Sequence, residues 1–111
     1  MIAKRLISML TLLGLLTSSL PASAQQGSLE ASLWQDYKSR FLDASGRIVD
    51  NANGGISHSE GQGYGLLLAF YANSQSDFEQ IWSFTKTELM IRDDGLAAWK
   101  WDPGAQPHVT D

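Results

Sequence analysis

A helical segment over residues 60–72 places the strongest constraint on what this chain can fold into. Its residues 66–71 (Leu-Leu-Leu-Ala-Phe-Tyr) would put apolar side chains on nearly every side of the helix. A helix without a polar face is buried inside a larger protein and does not lie on the surface of a small one. The chain has 111 residues, enough for one domain at most. The segment therefore indicates a helical core larger than a chain of this length encloses.

Two flanking segments predict amphipathic helices. Over residues 28–41 an apolar stripe repeats every four residues, and its members are Leu29, Leu33, Tyr37 and Phe41, with Trp34 beside them. Over residues 76–89 a second stripe follows a capping box of Ser76 with Glu79, and its members are Phe78, Ile81, Trp82, Thr85 and Leu89. Ser28 is the predicted N-cap of the first helix, and Trp34 and Trp82 are predicted core residues. Helices joined by glycine-rich loops predict an all-α fold, the start of a helical barrel or solenoid.

Residues 1–24 have the pattern of a secretory signal peptide. Lys4 and Arg5 precede an apolar run over residues 6–20, and Ala22 and Ala24 form a small-residue cleavage signature. A membrane anchor is the alternative, but the run is shorter than the roughly 20 strongly apolar residues that span a bilayer. We therefore expect cleavage after Ala24, a periplasmic or secreted product, and a mature domain over residues 25–111 with no membrane segment.

Composition argues against several classes of function. The chain has no cysteine, so it has no disulfide, thiolate metal site or cysteine nucleophile. Its eight Lys and Arg are scattered among twelve Asp and Glu, so they form no basic stripe for nucleic acid. His58 has no second histidine at metal-binding spacing, and the Asp93-Asp94-Gly95 turn lacks the alternating oxygen ligands of a calcium loop. We expect no metal site, no cofactor and no nucleic-acid partner.

Residues 57–65 (Ser-His-Ser-Glu-Gly-Gln-Gly-Tyr-Gly) are the best candidate for a chemical site. Glu60 lies where a loop enters a helix, and it is either an acid favoured in the first turn by the helix dipole or a catalytic carboxylate. The three glycines cost helix stability, roughly 1 kcal/mol each against alanine, and a simple first-turn acid would not need them. Tyr64 lies one turn after Glu60 and faces the same side.

Residues 96–101 predict an aromatic-rich loop or short strand, and residues 47–50 a short extended piece. Trp99 and Trp101 share a face of an extended stretch. Their indole rings therefore form either one flat platform for sugar or one buried pair.

Residues 59–66 resemble the signature of glycoside hydrolase family 8, the family of bacterial endoglucanases, and the similarity extends from Trp34 to Asp111. The resemblance implies an (α/α)6 barrel of six inner and six outer helices, with residues 25–111 as its N-terminal part. It implies a β-glucan polysaccharide as substrate and inverting hydrolysis of β-1,4-glucosidic bonds, with Glu60 as the general acid. Tyr64, Trp99 and Trp101 would then bind the sugar.

Within the family the chain is similar to the periplasmic endoglucanases that accompany bacterial cellulose synthase, which implies a cellulose synthase complex as a partner. The family pattern continues past Asp111 into an Asp-Gly-Asp motif, and its catalytic base comes later still. We therefore expect a truncated domain that does not hydrolyse glucan by itself. Alternatives are a non-catalytic carbohydrate-binding protein, a structural periplasmic helical protein, or a family relative that acts on chitosan, xylan or mixed-linkage glucan.

Overall fold

The computed structural model describes residues 29–110. Its elements follow in the order α1 (Ala31–Phe41), β1 (Ser57–His58), α2 (Ser59–Tyr71), α3 (Gln75–Phe84), a π-helical turn (Thr85–Leu89) and β2 (Lys100–Trp101). The all-α prediction is confirmed, because the two strands are only two residues long each. The predicted signal peptide over residues 1–24 lies outside the described residues. Over residues 29–110, no helix is both long and apolar enough to cross a membrane.

Helix α1 packs through one aromatic side. Trp34 is buried, and its ring stacks on Tyr37 with centroids 5.5 Å apart. Leu33 is 56 % exposed, so its place in the predicted stripe is wrong; the buried side is centred on Trp34 instead. The helix begins at Ala31 with Glu30 at the N-cap, which also corrects the prediction that Ser28 is the cap. The predicted core role of Trp34 is confirmed.

Helix α2 agrees with the predicted span to within one residue at each end. Its inward side carries Gln62, Gly65 and Ala69, all of them buried. The other sides leave large apolar side chains 42–66 % exposed, and these are Tyr64, Leu67, Phe70 and Tyr71. Such exposure is typical of a helix whose outer sides pack against further helices.

Helix α3 starts two residues earlier than predicted. Ser74 is its N-cap and the helix begins at Gln75, so the capping box of Ser76 with Glu79 is wrong. Asn73, with a φ of 55°, ends the preceding segment and sets the new start. After Phe84 the chain continues as the π-helical turn, not as a regular helix to Leu89.

The exposure of Trp82 on α3 also differs from the prediction. The predicted stripe made it a core residue, but its side chain is 36 % exposed and lies under the Lys86 ammonium, 5.5 Å from the ring centroid. Ile81 and Phe84, which flank it, are the residues that α3 buries. The predicted apolar stripe of α3 has the correct helical period, but it wrongly includes Trp82.

The core sits between the three helices and the extended piece that precedes β1. Its buried apolar members are Trp34, Ile48, Ala69 and Ile81. The extended piece predicted over residues 47–50 is confirmed by two isolated antiparallel bridges, Leu42 with Ile48 and Asp50 with Ile56. At Gly65 a Cβ atom would lie 2.8 Å from Ile48 Cδ1, so glycine lets α2 approach this piece closely.

The amide of Gln62 joins these parts through hydrogen bonds in the fully buried interior. Its Oε1 accepts from the Ile48 N–H at 2.6 Å. Its Nε2 donates to the Gly46 carbonyl at 3.1 Å and to Thr85 Oγ1 at 3.0 Å. One side chain on α2 therefore satisfies polar groups from the extended piece and from the end of α3, all within the core.

Replacement of this amide should destabilise the fold strongly. Gln62→Leu leaves the Ile48 N–H and the Gly46 carbonyl buried without partners, and we expect a loss of about 3 kcal/mol in the free energy of unfolding. Gln75→Leu is the matched control, because Gln75 is exposed and its side chain bonds to Glu79 on the same helix. Urea unfolding followed by tryptophan fluorescence measures both. Equal losses in the two variants would contradict this role for Gln62.

Asp77 ties the start of α3 to α1. One carboxylate oxygen, Oδ2, accepts hydrogen bonds from Trp34 Nε1 at 2.9 Å, Ser74 Oγ at 2.6 Å and Lys38 Nζ at 2.8 Å. Burial alone would raise the pKa of this carboxyl. The bonds from Lys38, Ser74 and Trp34 outweigh burial and hold the pKa of Asp77 below its ordinary value.

This lowered pKa makes stability depend on pH. A carboxyl with a lowered folded-state pKa stabilises the fold above its ordinary pKa of about 3.9 and loses that contribution as pH falls through the folded value. We expect the melting temperature to decrease as the pH is lowered below about 4. Asp77→Asn should lower the stability at neutral pH and make the melting temperature less dependent on pH in this acid range. Thermal unfolding from pH 2 to 7 tests it. Asp36→Asn, which changes an exposed carboxyl on α1, is the control.

Candidate active site

Glu60 occupies the first turn of α2, on the side opposite to the buried Gln62. Its side chain is exposed, and Tyr64 Oη donates a hydrogen bond to its Oε1 at 3.1 Å. The predicted placement of Tyr64 on the same side as Glu60 is therefore confirmed. A carboxylate in the first turn is favoured by the free N–H groups and the positive end of the helix dipole.

The pairing of β1 with β2 brings the tryptophan segment to this turn. Ser57 pairs with Trp101 and His58 with Lys100 in antiparallel register. One residue further, the Ser59 N–H donates to the Trp99 carbonyl at 3.1 Å. Trp99, 55 % exposed, therefore has its backbone directly opposite the residue that precedes Glu60. Residues 96–101, predicted to be an aromatic-rich loop or a short strand, form a strand only at residues 100–101.

Trp101 has a different environment from Trp99. The Arg47 guanidinium lies over its ring at 4.7 Å from the centroid, and the His108 ring stacks on it at 4.2 Å. Phe84 meets it edge-on at 5.7 Å. Its indole N–H donates to Glu88 Oε2 at 3.3 Å. The two tryptophans thus form neither one platform nor one buried pair: Trp99 is exposed, and Trp101 is half-buried with its ring packed against protein.

Arg47 fixes the position of β1 and of Trp101 together. Its Nη1 donates to the Gly55 carbonyl at 2.6 Å and to Ser57 Oγ at 2.9 Å, and Ser57 Oγ donates to the Ile48 carbonyl at 2.6 Å. Arg47 and the Trp101 ring form one wall of a cavity of about 500 Å³ that Asp43, Glu88 and His108 also line. Sequence reasoning did not single out Arg47, because its partners lie up to 54 positions away along the chain.

His58 bonds to a carboxylate of the turn before β1. Its Nε2 lies 3.2 Å from Asp50 Oδ2. Among residues 29–110, no cluster of three or more histidine, aspartate and glutamate side chains could hold a metal ion. Of the motif glycines, Gly65 is required by the contact with Ile48, whereas a Cβ at Gly63 would meet only open space.

The chain matches the family model described as glycosyl hydrolases family 8 over residues 6–111. The chain belongs to glycosyl hydrolase family 8. Among curated relatives, a probable endoglucanase of Novacetimonas hansenii is 43 % identical over 81 residues, 73 % of this chain and 24 % of the relative. An endoglucanase of Cellulomonas uda is 40 % identical over 78 residues, 70 % of this chain and 22 % of the relative.

Solved structures of family 8 enzymes have the same fold over the matched region. A Klebsiella pneumoniae endoglucanase superposes with a TM-score of 0.70 at 40 % identity, covering 72 % of this chain and 26 % of that one. An endo-β-1,4-glucanase of Acetobacter xylinum gives 0.67 at 42 % identity, covering 72 % of this chain and 25 % of that one. The chain thus spans about a quarter of the relatives it matches, and its helices are part of an (α/α)6 barrel.

Proposed function

We propose that this family 8 chain contributes the general acid of an endo-β-1,4-glucanase, and that Glu60 is this acid. The observation that carries the proposal is the exposed Glu60 carboxyl, which accepts a hydrogen bond from Tyr64 and follows Ser59, the residue whose N–H binds the carbonyl of the exposed Trp99. Family relatives of which this chain covers about a quarter are named endoglucanases. A cellulose-like β-1,4-glucan is therefore the proposed substrate.

In the proposed reaction Glu60 protonates the glycosidic oxygen as the bond to the leaving sugar breaks. An inverting enzyme needs a second carboxylate roughly 6.5–9.5 Å away to activate water on the opposite face of the sugar. The family resemblance puts that base much later than Asp111. We accordingly propose that the 111-residue chain alone does not hydrolyse glucan.

Trp99 is the proposed sugar platform, with Tyr64 as a second contact beside the acid. An indole face that is open to solvent gives the apolar side of a glucose ring a large flat surface to cover. Trp101 was also predicted to bind sugar, and we assign it a smaller share, because Arg47 and His108 already lie against its ring.

A periplasmic or secreted location and an association with a cellulose synthase complex remain proposals that rest on the sequence of residues 1–24 and on the family resemblance. Chitosan, xylan and mixed-linkage glucan remain alternative substrates. The resemblance places most of the sugar subsites that decide among them outside the described residues.

The test of the acid uses a joined enzyme, in which residues 1–111 are followed by the part of the Novacetimonas hansenii endoglucanase that comes after its matched region. Glu60→Gln keeps the shape of the side chain and removes the proton donor. We expect kcat on carboxymethylcellulose to fall at least about a hundredfold, measured as reducing sugar. Glu79→Gln, an exposed change on α3, should leave kcat unchanged. The unjoined chain should release no reducing sugar.

Two outcomes would contradict this assignment. A Glu60→Gln enzyme that retains wild-type kcat would show that another group donates the proton. Hydrolysis by the unjoined 111-residue chain would show that the base lies within it.

The role of Trp99 is tested by a pair of tryptophan variants. Trp99→Ala removes the proposed platform, and we expect KM for cello-oligosaccharides to rise about tenfold through the lost apolar contact, with kcat changed less. Trp82→Ala, a partly exposed tryptophan on α3, is the matched control and should leave KM unchanged. Steady-state kinetics on both joined enzymes measures KM and kcat separately. Equal KM values for the Trp99 variant and the parent would rule out the platform.

A further inference from the structure

The pair formed by Asp50 and His58 lies immediately before the turn that carries Glu60. His58 is the last residue of β1 and the N-cap of α2, two positions ahead of the proposed acid. Its Nε2 lies 3.2 Å from Asp50 Oδ2, and both side chains are partly exposed. Neither residue was assigned a role by the sequence or by the proposed function.

The imidazole ring reaches from Asp50 to the first turn of α2. A Cβ atom at Gly61 would lie 3.7 Å from His58 Nδ1, in ordinary van der Waals contact. The ring therefore lies against the backbone next to Glu60 while its other nitrogen binds the carboxylate. The His58 side chain makes no capping hydrogen bond to α2, so Asp50 is the partner that orients it.

Asp50 is itself held in place. Its Oδ2 accepts from Asn53 Nδ2 at 2.6 Å and its Oδ1 from the Ala52 N–H at 3.0 Å, within a turn closed by the Gly55 N–H on the Asp50 carbonyl. The bond from Asn53, followed by those from Ala52 and His58, lowers the pKa of this carboxyl. The His58 ring thus has a fixed, ionised anchor.

Two other anchors act on the same turn. The Ser59 N–H binds the Trp99 carbonyl, and Gln62 is fixed in the core. These two hold the backbone before and after Glu60, and the His58 ring lies against the same turn at Gly61. A misplacement of about 1 Å at a reacting group can cost a hundredfold in rate.

We propose that Asp50 and His58 are positioning residues that hold the first turn of α2, and with it Glu60, in the geometry that glycosidic proton transfer requires. The proposal rests on the function proposed above for Glu60. It predicts that the hydrogen bond to Asp50, and not only the size of the His58 ring, sets the catalytic rate.

The test compares three changes in the joined enzyme. His58→Leu removes the donor to Asp50, and we expect kcat to fall about tenfold with KM within about twofold. His58→Gln keeps an N–H donor and should recover kcat to within about threefold of the parent. Asp36→Asn on α1 is the control and should change neither constant. A His58→Leu enzyme with parental kcat, or equal losses in the Leu and Gln variants, would overturn the proposal.

A double-mutant cycle tests whether His58 acts through Asp50. In an Asp50→Asn background the anchor is neutral, so the kcat loss from His58→Leu should shrink to about threefold or less. An undiminished tenfold loss would show that His58 works without Asp50 and would overturn the pairing.

A measurement on the 111-residue chain separates this proposal from the proposed function. His58→Leu should shift the ¹³C resonances of the Glu60 carboxyl and the Tyr64 ring, and Asp36→Asn should shift neither. Unchanged resonances in the His58 variant would overturn the positioning role whatever the activity of the joined enzyme. Failure of the role proposed for Glu60 would be seen in a different experiment, as full activity of the joined enzyme that carries Glu60→Gln.

Discussion

The fold depends on one buried amide, that of Gln62. Helix α2 is apolar on almost every side, so hydrophobic burial alone gives it no preferred inward face, because that force is not directional. The hydrogen bonds of Gln62, accepted from the Ile48 N–H and donated to Gly46 and Thr85, are directional and determine which face points inward. Since two residues along an α-helix are about 200° apart, an inward Gln62 places Glu60 outward. The same amide therefore fixes the core and aims the proposed acid.

The aromatic side of the site depends on a second, smaller constraint. The pairing of β1 and β2 involves only two residues from each strand, which alone is too little to fix a register. Arg47 supplies the rest, because it binds Ser57 on β1 and covers the Trp101 ring on β2. With Trp101 locked against Arg47 and His108, the adjacent Trp99 is left exposed opposite Ser59. The half-buried Trp101 thus helps to hold the strand segment that carries the exposed Trp99.

Local patterns predicted the local geometry of this chain well. The periods of the three helices and the contact between Glu60 and Tyr64 depend on spacings of three to four residues. Leu33 and Trp82 were wrongly included in buried apolar stripes, because each is next in sequence to a residue that is buried. The predicted cap Ser76 lies two positions after the observed cap Ser74. Ser74 and Ser76 are equally good caps by residue type, and only the turn at Asn73 decides between them.

The long-range contacts could not be predicted, for a physical reason. Gln62 reads as a polar residue in a helical motif, and nothing near it indicates that its partners lie at residues 46, 48 and 85. Arg47 and Asp50 likewise read as ordinary surface charges. Their partners are determined by how the extended piece packs across the start of α2. No short segment of the sequence indicates this packing, because it joins residues that are far apart along the chain.

Glu60 and the large apolar side chains of α2 are both exposed in the described residues. A general acid must keep its proton near the working pH, and enclosure by apolar groups favours the neutral carboxyl. The described residues give Glu60 a hydrogen-bond partner in Tyr64 but leave its side chain in solvent. The uncovered apolar side chains of α2, among them Leu67 and Phe70, lie on the same helix. In the enzyme proposed above, further barrel helices would cover these side chains, and a sugar bound on Trp99 would help to exclude water from Glu60.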